Sequence, residues 1–396
     1  MITIDNFYWV LYHNLLKPVG LDCRYFYPFG TVQNFSEFEY SSNTLIEPSR
    51  AELIPSGLRH RSHVLFHFDQ EPIYPESELS IFRGTQGNHL TRTRILANSE
   101  ISTIKKDFCK KYRLLDWYFF YHGFAALNWY QDLSHIEYDD GFSHPYLSFN
   151  HLVKNRRSYR MALTARLVQK NIHERGLISF HGNQNDCAQE LTDVYTLLSD
   201  QDKDLIQQYL VRSQIPMQVD SASVDSNFSA LMGQNEYYVR QRGLFHVVNE
   251  TVFYDDKVHL TEKIFQPIVV MRPFLLVGAP GNLEYLKRYG FQTFSDWIDE
   301  SYDTISDPTA RLDAIADQLQ HLANLPQSTL DDMFRDMQSV LHFNKRHFFT
   351  DFRKIIVHEL VDNFDCCVRI WNNGRVDGRE LTLHPNLELV KNTLLR

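Results

Sequence analysis

Glu262 and Lys263 set an acid beside a base in the run His259-Leu-Thr-Glu-Lys-Ile-Phe-Gln-Pro267. The run reads as a helix start, with Thr261 placed to cap it. A helix N-terminus carries unpaired N–H groups and a partial positive charge, which suits a phosphate. A lysine there adds a full charge, and a glutamate there can accept ribose hydroxyls. This is the chemistry that holds a nucleotide diphosphate-sugar. Lys263 is the candidate diphosphate ligand, able to stabilise charge developing on a leaving nucleotide. Glu262 is the candidate ribose acceptor, although a glutamate is welcome near any helix N-terminus. Thr261 serves equally as a cap or as a phosphate contact.

The run is followed by the strand-like Phe274-Leu-Leu-Val277, by Gly278-Ala-Pro-Gly281, by Tyr285 to Phe291 and by Asp299-Glu-Ser-Tyr302. This ordered set resembles the donor-binding half of fucosyltransferase-like and exostosin-like glycosyltransferases, in their bacterial and phage branch. The resemblance implies a GT-B-like α/β fold, with two Rossmann-like domains facing a central cleft. It implies transfer of a sugar from a nucleotide diphosphate-sugar, as co-substrate, to an acceptor hydroxyl. No other cofactor is expected, and the transfer is expected to be metal-independent and inverting. It also directs attention to the basic segment Asn150 to Arg160, where Arg157 and Arg160 match the family's arginines; an arginine fork binds two phosphate oxygens at once. An ordinary solvated basic loop is the other reading. Glu250 and Tyr254 lie just before the donor motif, and C-terminal strand ends face the ligand crevice in open α/β sheets. Glu250 is therefore read either as a donor-sugar contact or as a structural carboxylate.

An inverting transfer needs a base for the acceptor's proton. Asp69 and Glu71 follow an expected strand ending at Phe68, and His122 follows one ending at Tyr121. Asp69 is the first choice. Turn roles for Asp69-Gln-Glu-Pro72 and for His122-Gly123 compete with it.

The elements that must position these residues alternate along the chain. Expected strands are His63–Phe68, Arg94–Asn98, Leu115–Tyr121, Tyr146–Asn150, Leu177–Phe180, Phe245–Asn249 and Phe274–Val277, each closed by polar or turn-forming residues. A helix is expected from Tyr159 to His173, stopped by Gly176. Long helices are expected over 309–325 and 328–362. Alternation at Cys367-Val-Arg-Ile-Trp371 suggests a hairpin with Arg379–Leu383. The division expected is 1–145 for the acceptor domain, 146–345 for the donor domain and 346–396 for a C-terminal helix and tail.

Composition bounds the function. At 396 residues, 43% hydrophobic and 22% charged, the chain describes a globular protein of two domains. A net charge of −9 weighs against a general nucleic-acid binder. No apolar run is long enough to span a bilayer, and no signal peptide is read. Five cysteines without a Cys-X-X-Cys pair fit reduced thiols and a cytoplasmic location. Asp200-Gln-Asp-Lys-Asp204 has the Asp-X-Asp spacing of a metal site but opens a helical pattern, and no histidine set completes a zinc site; no metal site is expected. The aromatic patch Trp117–Tyr121 with Trp129 and Tyr130 is read mainly as core. The acceptor is expected to be a surface glycan. Two alternatives remain: a phage enzyme acting on hydroxymethylated pyrimidines in DNA, and a nucleotide-sugar or glycan-binding protein without turnover. A simple dinucleotide-binding protein is disfavoured, because no Gly-X-Gly-X-X-Gly follows the first strand.

Overall fold

In the computed structural model, residues 7, 10–16, 24–26, 64–68, 72–73, 94–112, 114–135, 141–212, 240–373 and 387–395 are described. The chain divides into two compact units: Met1–Asn128 with Arg353–Arg396, and Trp129–Phe352. The sequence reading instead divided it at 145 and set off 346–396 as a tail. Both units are α/β, each built on a parallel four-stranded sheet. Among the described residues, no helix is long and apolar enough to cross a membrane.

In the first unit, β1 (Arg24–Phe26), β2 (Val64–Phe68), β3 (Arg94–Asn98) and β4 (Leu115–Tyr118) pair in that order, all parallel. Strand β4 ends three residues earlier than expected. Ser99 Oγ donates to the Phe119 carbonyl at 2.6 Å and accepts the Tyr121 N–H at 2.8 Å. That staple turns the chain at once into the helix Tyr121–Trp129, so His122 and Gly123 occupy a first helical turn. The Trp117 indole is fully buried and donates to the Leu360 carbonyl at 3.0 Å, which ties the helix Arg353–Asn373 to the sheet.

The expected hairpin strand at Cys367–Trp371 is helical instead. Cys367 and Val368 continue the buried stripe of Leu360, Val361 and Phe364 at helical spacing, and residues 367–371 lie inside the helix Arg353–Asn373. Its proposed partner, 379–383, lies outside the described residues. The expected helix over 328–362 is a chain of pieces: Gln327–Asp336, Gln338–His347, the π-helical turn Phe348–Phe352, and then Arg353–Asn373.

In the second unit, β5 (His144–Asn150), β6 (Leu177–Phe180), β7 (Gly243–Asn249) and β8 (Phe274–Val277) are parallel, in the spatial order β8-β7-β5-β6. Every residue of β6, β7 and β8 is buried, as expected of parallel strands covered on both faces. The helix Tyr159–Gln169 is buried along ten positions. It stops before the expected His173 because Asn171 turns left-handed at φ 55°. Gly176 has a different role from the helix stop assigned to it: a Cβ there would lie 2.2 Å from the Tyr146 ring.

Candidate functional site

The strand β7 delivers Glu250 at its C-terminal end, fully buried. Its carboxylate accepts the Thr261 N–H at 3.2 Å, the Thr261 hydroxyl at 2.6 Å and the Thr251 N–H at 3.3 Å. Burial pushes the Glu250 carboxyl up from its ordinary value, against the opposing pull of Lys263 and the Thr261 hydrogen bonds. Thr261 does not cap its helix as expected: its side chain makes no cap hydrogen bond, because its hydroxyl is given to Glu250. Lys263 Nζ then donates to Thr261 Oγ1 at 3.1 Å and to Glu262 Oε1 at 2.8 Å. The Lys263 side chain is 34% exposed and that of Glu262 is 12% exposed, so the ammonium faces an opening. Two of its three N–H donors are engaged, and the third is available to a ligand.

The helix behind these residues is short. A 3-10 turn, Glu262–Ile264, leads into Phe265–Val269. A helix dipole built from so few peptide units is small, and the formal charge of Lys263 supplies most of the attraction for an anion.

The expected arginine loop folds against this network. Arg160 is buried, and its guanidinium donates to the carbonyls of Leu152, Asn249 and Glu250 at 2.8, 2.8 and 3.1 Å. The Tyr159 hydroxyl donates to the same Glu250 carbonyl. Arg160 is thus bound into the end of β7, where it fixes the chain that carries Glu250. Arg157 is half-buried in the turn Asn155–Arg157, and Arg156 pairs with Asp255 at 3.2 Å. Tyr254 shares a 3.0 Å hydrogen bond with Ser158, and burial pushes its phenol up.

The motif elements after Lys263 have structural duties. Gly281 sits at φ 83° and caps the helix Asn282–Arg288. A Cβ on Gly278 would lie 2.9 Å from Asn282 Nδ2. The buried Tyr302 hydroxyl accepts the Leu276 N–H at 3.1 Å, pinning β8. Glu300 accepts from the Thr293 hydroxyl and the Phe294 N–H, both at 2.8 Å. Asp303 accepts the Leu283 N–H at 3.1 Å, and burial raises its carboxyl to about 6.

Sequence reasoning missed the cleft that Lys263 borders. A small open cleft lies among Phe149, Arg240, His246, Asn249, Lys263 and Gln266, with aliphatic neighbours. Two of its lining residues are cations and, among the described residues, none is a carboxylate. The Arg240 guanidinium lies 4.9 Å over the Phe149 ring. Asn249 is 4% exposed, and its Oδ1 has no hydrogen-bond partner. Asn249 directly precedes Glu250 at a strand end, and that adjacency was the available signal. Arg240 had none, because its approach to Phe149 is tertiary.

The remaining candidates lie elsewhere. Asp69 and Glu71 are outside the described residues. His122 is buried, with its ring edge-on to Tyr121 at 5.4 Å. Asp202 of the Asp-X-Asp spacing forms a capping box with Ser199. It also pairs at 2.7 Å with Arg166, both side chains being 1% exposed. Among the described residues, no group of three or more potential metal ligands occurs.

No protein-family model matches the chain, and no curated protein sequence matches it. Among solved structures it is similar to a mutant of T4 phage BGT in complex with UDP-glucose. The TM-score is 0.38 and the identity 9%, over 79% of this chain and 75% of that one. A likeness that low carries no inference about fold or function, so the glycosyltransferase resemblance stands on the sequence motifs.

Proposed function

We propose that the protein is a glycosyltransferase and that its second unit binds a nucleotide diphosphate-sugar at the cleft beside Lys263. The observation that carries this reading is the charge of that cleft. Arg240 and Lys263 line it without a carboxylate among the described residues, and it reaches the C-terminal end of β7 at Asn249, the kind of place where α/β folds bind ligands. Lys263 takes a diphosphate oxygen and Glu262 the ribose hydroxyls. Glu250 holds Thr261, which in turn orients the lysine ammonium. Arg160 holds the Glu250 carbonyl in place, and Arg157 and Tyr254 are further proposed donor contacts.

In the reaction, a base removes the acceptor hydroxyl proton, and the freed oxygen bonds to the anomeric carbon. The bond from that carbon to the diphosphate oxygen breaks, and its electrons leave with the nucleoside diphosphate. Lys263 stabilises the charge that develops there. No metal is required in this reading. Asp69 is the proposed base, with Glu71 and His122 as the alternatives, and a surface glycan is the proposed acceptor.

A thermal-shift screen with UDP-, GDP- and CMP-sugars tests the donor assignment. A ligand at about 100 times its Kd adds roughly 2.7 kcal/mol, which raises the midpoint of a unit this size by about 5–10 °C. A shift that is lost in Lys263→Ala is the expected result. An equal shift in that variant would remove Lys263 from the site, and no shift with any donor would defeat the assignment.

A further inference from the structure

Resting on that donor reading, a finer division of the cleft follows from its sheet wall. The ladder pairs Leu147 of β5 with His246 of β7, and side chains two residues apart on a strand share a face. Phe149 and His246 therefore point to the same side of the sheet, and both line the cleft. Phe149 is only half-buried although the Arg240 guanidinium lies over its ring, so part of the aromatic ring remains open to whatever fills the space. His246 is 3% exposed. Its Nε2 lies 2.7 Å from the Arg240 carbonyl. A carbonyl only accepts, so Nε2 carries the proton and Nδ1 is left as a lone-pair acceptor. Burial first, then the neighbouring Arg240 charge, lowers the imidazole to about 3, so Nδ1 remains an acceptor at any physiological pH. Gln266, from the helix Phe265–Val269, also lines the cleft.

An aromatic face, a fixed neutral acceptor and a carboxamide beside two cations form a poor site for a bare anion and a good one for a nucleobase joined to phosphates. Base–aromatic stacking accepts any base, and the ring acceptor asks for an N–H on the base edge. We propose that the sheet wall of this cleft is the nucleobase subsite, with the base stacked on Phe149 and one of its N–H groups donated to His246 Nδ1. Lys263 and Arg240 then meet the diphosphate.

Calorimetric titration of the full chain with UDP, GDP, CDP and inorganic pyrophosphate tests this. The readout is the ratio of nucleoside-diphosphate affinity to pyrophosphate affinity. The wild type should favour at least one nucleoside diphosphate over pyrophosphate by about tenfold or more. Phe149→Leu, which keeps apolar bulk but has no π face, should lower that ratio about fivefold or more, and Phe149→Tyr should preserve it. His246→Phe provides an independent variant should Phe149→Leu fail to fold, and should lower the ratio about threefold or more. An unchanged ratio in folded Phe149→Leu and His246→Phe overturns the subsite while leaving the donor reading in place. A wild type that binds pyrophosphate as tightly as every nucleoside diphosphate also overturns it. A wild type that binds none of the four removes the donor reading, and this inference with it.

Discussion

Replacing Lys263 by methionine keeps the stem of the side chain and removes only its charge. Its ammonium lies 2.8 Å from Glu262 Oε1 and 3.1 Å from Thr261 Oγ1, with the third donor left for ligand. Losing one charge-assisted hydrogen bond to a phosphate costs about 1.5–3 kcal/mol, which is roughly a 10- to 150-fold weaker Kd. A second effect adds to this. Without the ammonium, the Glu262 carboxylate stands uncompensated near the incoming diphosphate and repels it. Glu262→Gln removes that charge and keeps one carboxamide oxygen to accept from the ribose, so Lys263→Met with Glu262→Gln should bind better than Lys263→Met alone, a coupling expected between touching residues. Stability should respond far less, because a partly exposed ion pair is worth only about 0–1 kcal/mol. The assay is calorimetric titration with nucleoside diphosphate at fixed salt, alongside thermal melts of each variant. A Kd for Lys263→Met within about twofold of wild type would remove Lys263 from the diphosphate site. So would a melt lowered by more than about 5 °C, because Lys263 would then be a structural residue.

Three further outcomes follow from buried groups in the second unit. Asp202→Asn removes the carboxylate that meets Arg166 at 2.7 Å, leaving Asp313 at 2.6 Å and the Ala162 carbonyl at 3.1 Å as its partners; urea unfolding should show a loss of about 3 kcal/mol. Tyr302→Phe leaves the Leu276 N–H buried without its acceptor and should cost about 1–3 kcal/mol in the same measurement. His246 is lowered from 6.5 to about 3, so below pH 6.5 the unfolded chain binds a proton that the folded chain refuses. Its contribution is fully present above pH 6.5 and is lost as the pH falls toward 3; melts of His246→Gln should lose less stability than wild type between pH 7 and pH 5.

Local patterns made most of the strands legible. Arg94–Asn98 and Phe274–Val277 fold with the boundaries read from the chain, because each is an apolar run closed by its own breakers. Leu115–Tyr121 was misjudged because the turn depends on Ser99, some twenty residues earlier. Cys367–Trp371 was misjudged because so short a window satisfies a period of two as well as one of 3.6. In the site, the motif brought Thr261, Glu262 and Lys263 forward, and the fold joins them to Glu250 and, through its carbonyl, to Arg160. The cleft's other cation and its aromatic wall were not legible. Arg240 and Phe149 are 91 positions apart in sequence and meet only after β5 and β7 have paired.

Sugar transfer from a nucleotide diphosphate-sugar at the cleft beside Lys263 has a direct readout. Phosphorus NMR of the full chain incubated with UDP- and GDP-sugars and a glycan acceptor follows the diphosphate ester directly. One donor should be consumed, its nucleoside diphosphate should accumulate, and Lys263→Met should slow this at least tenfold. Donors left intact by the wild type, or consumed equally fast by Lys263→Met, would contradict it.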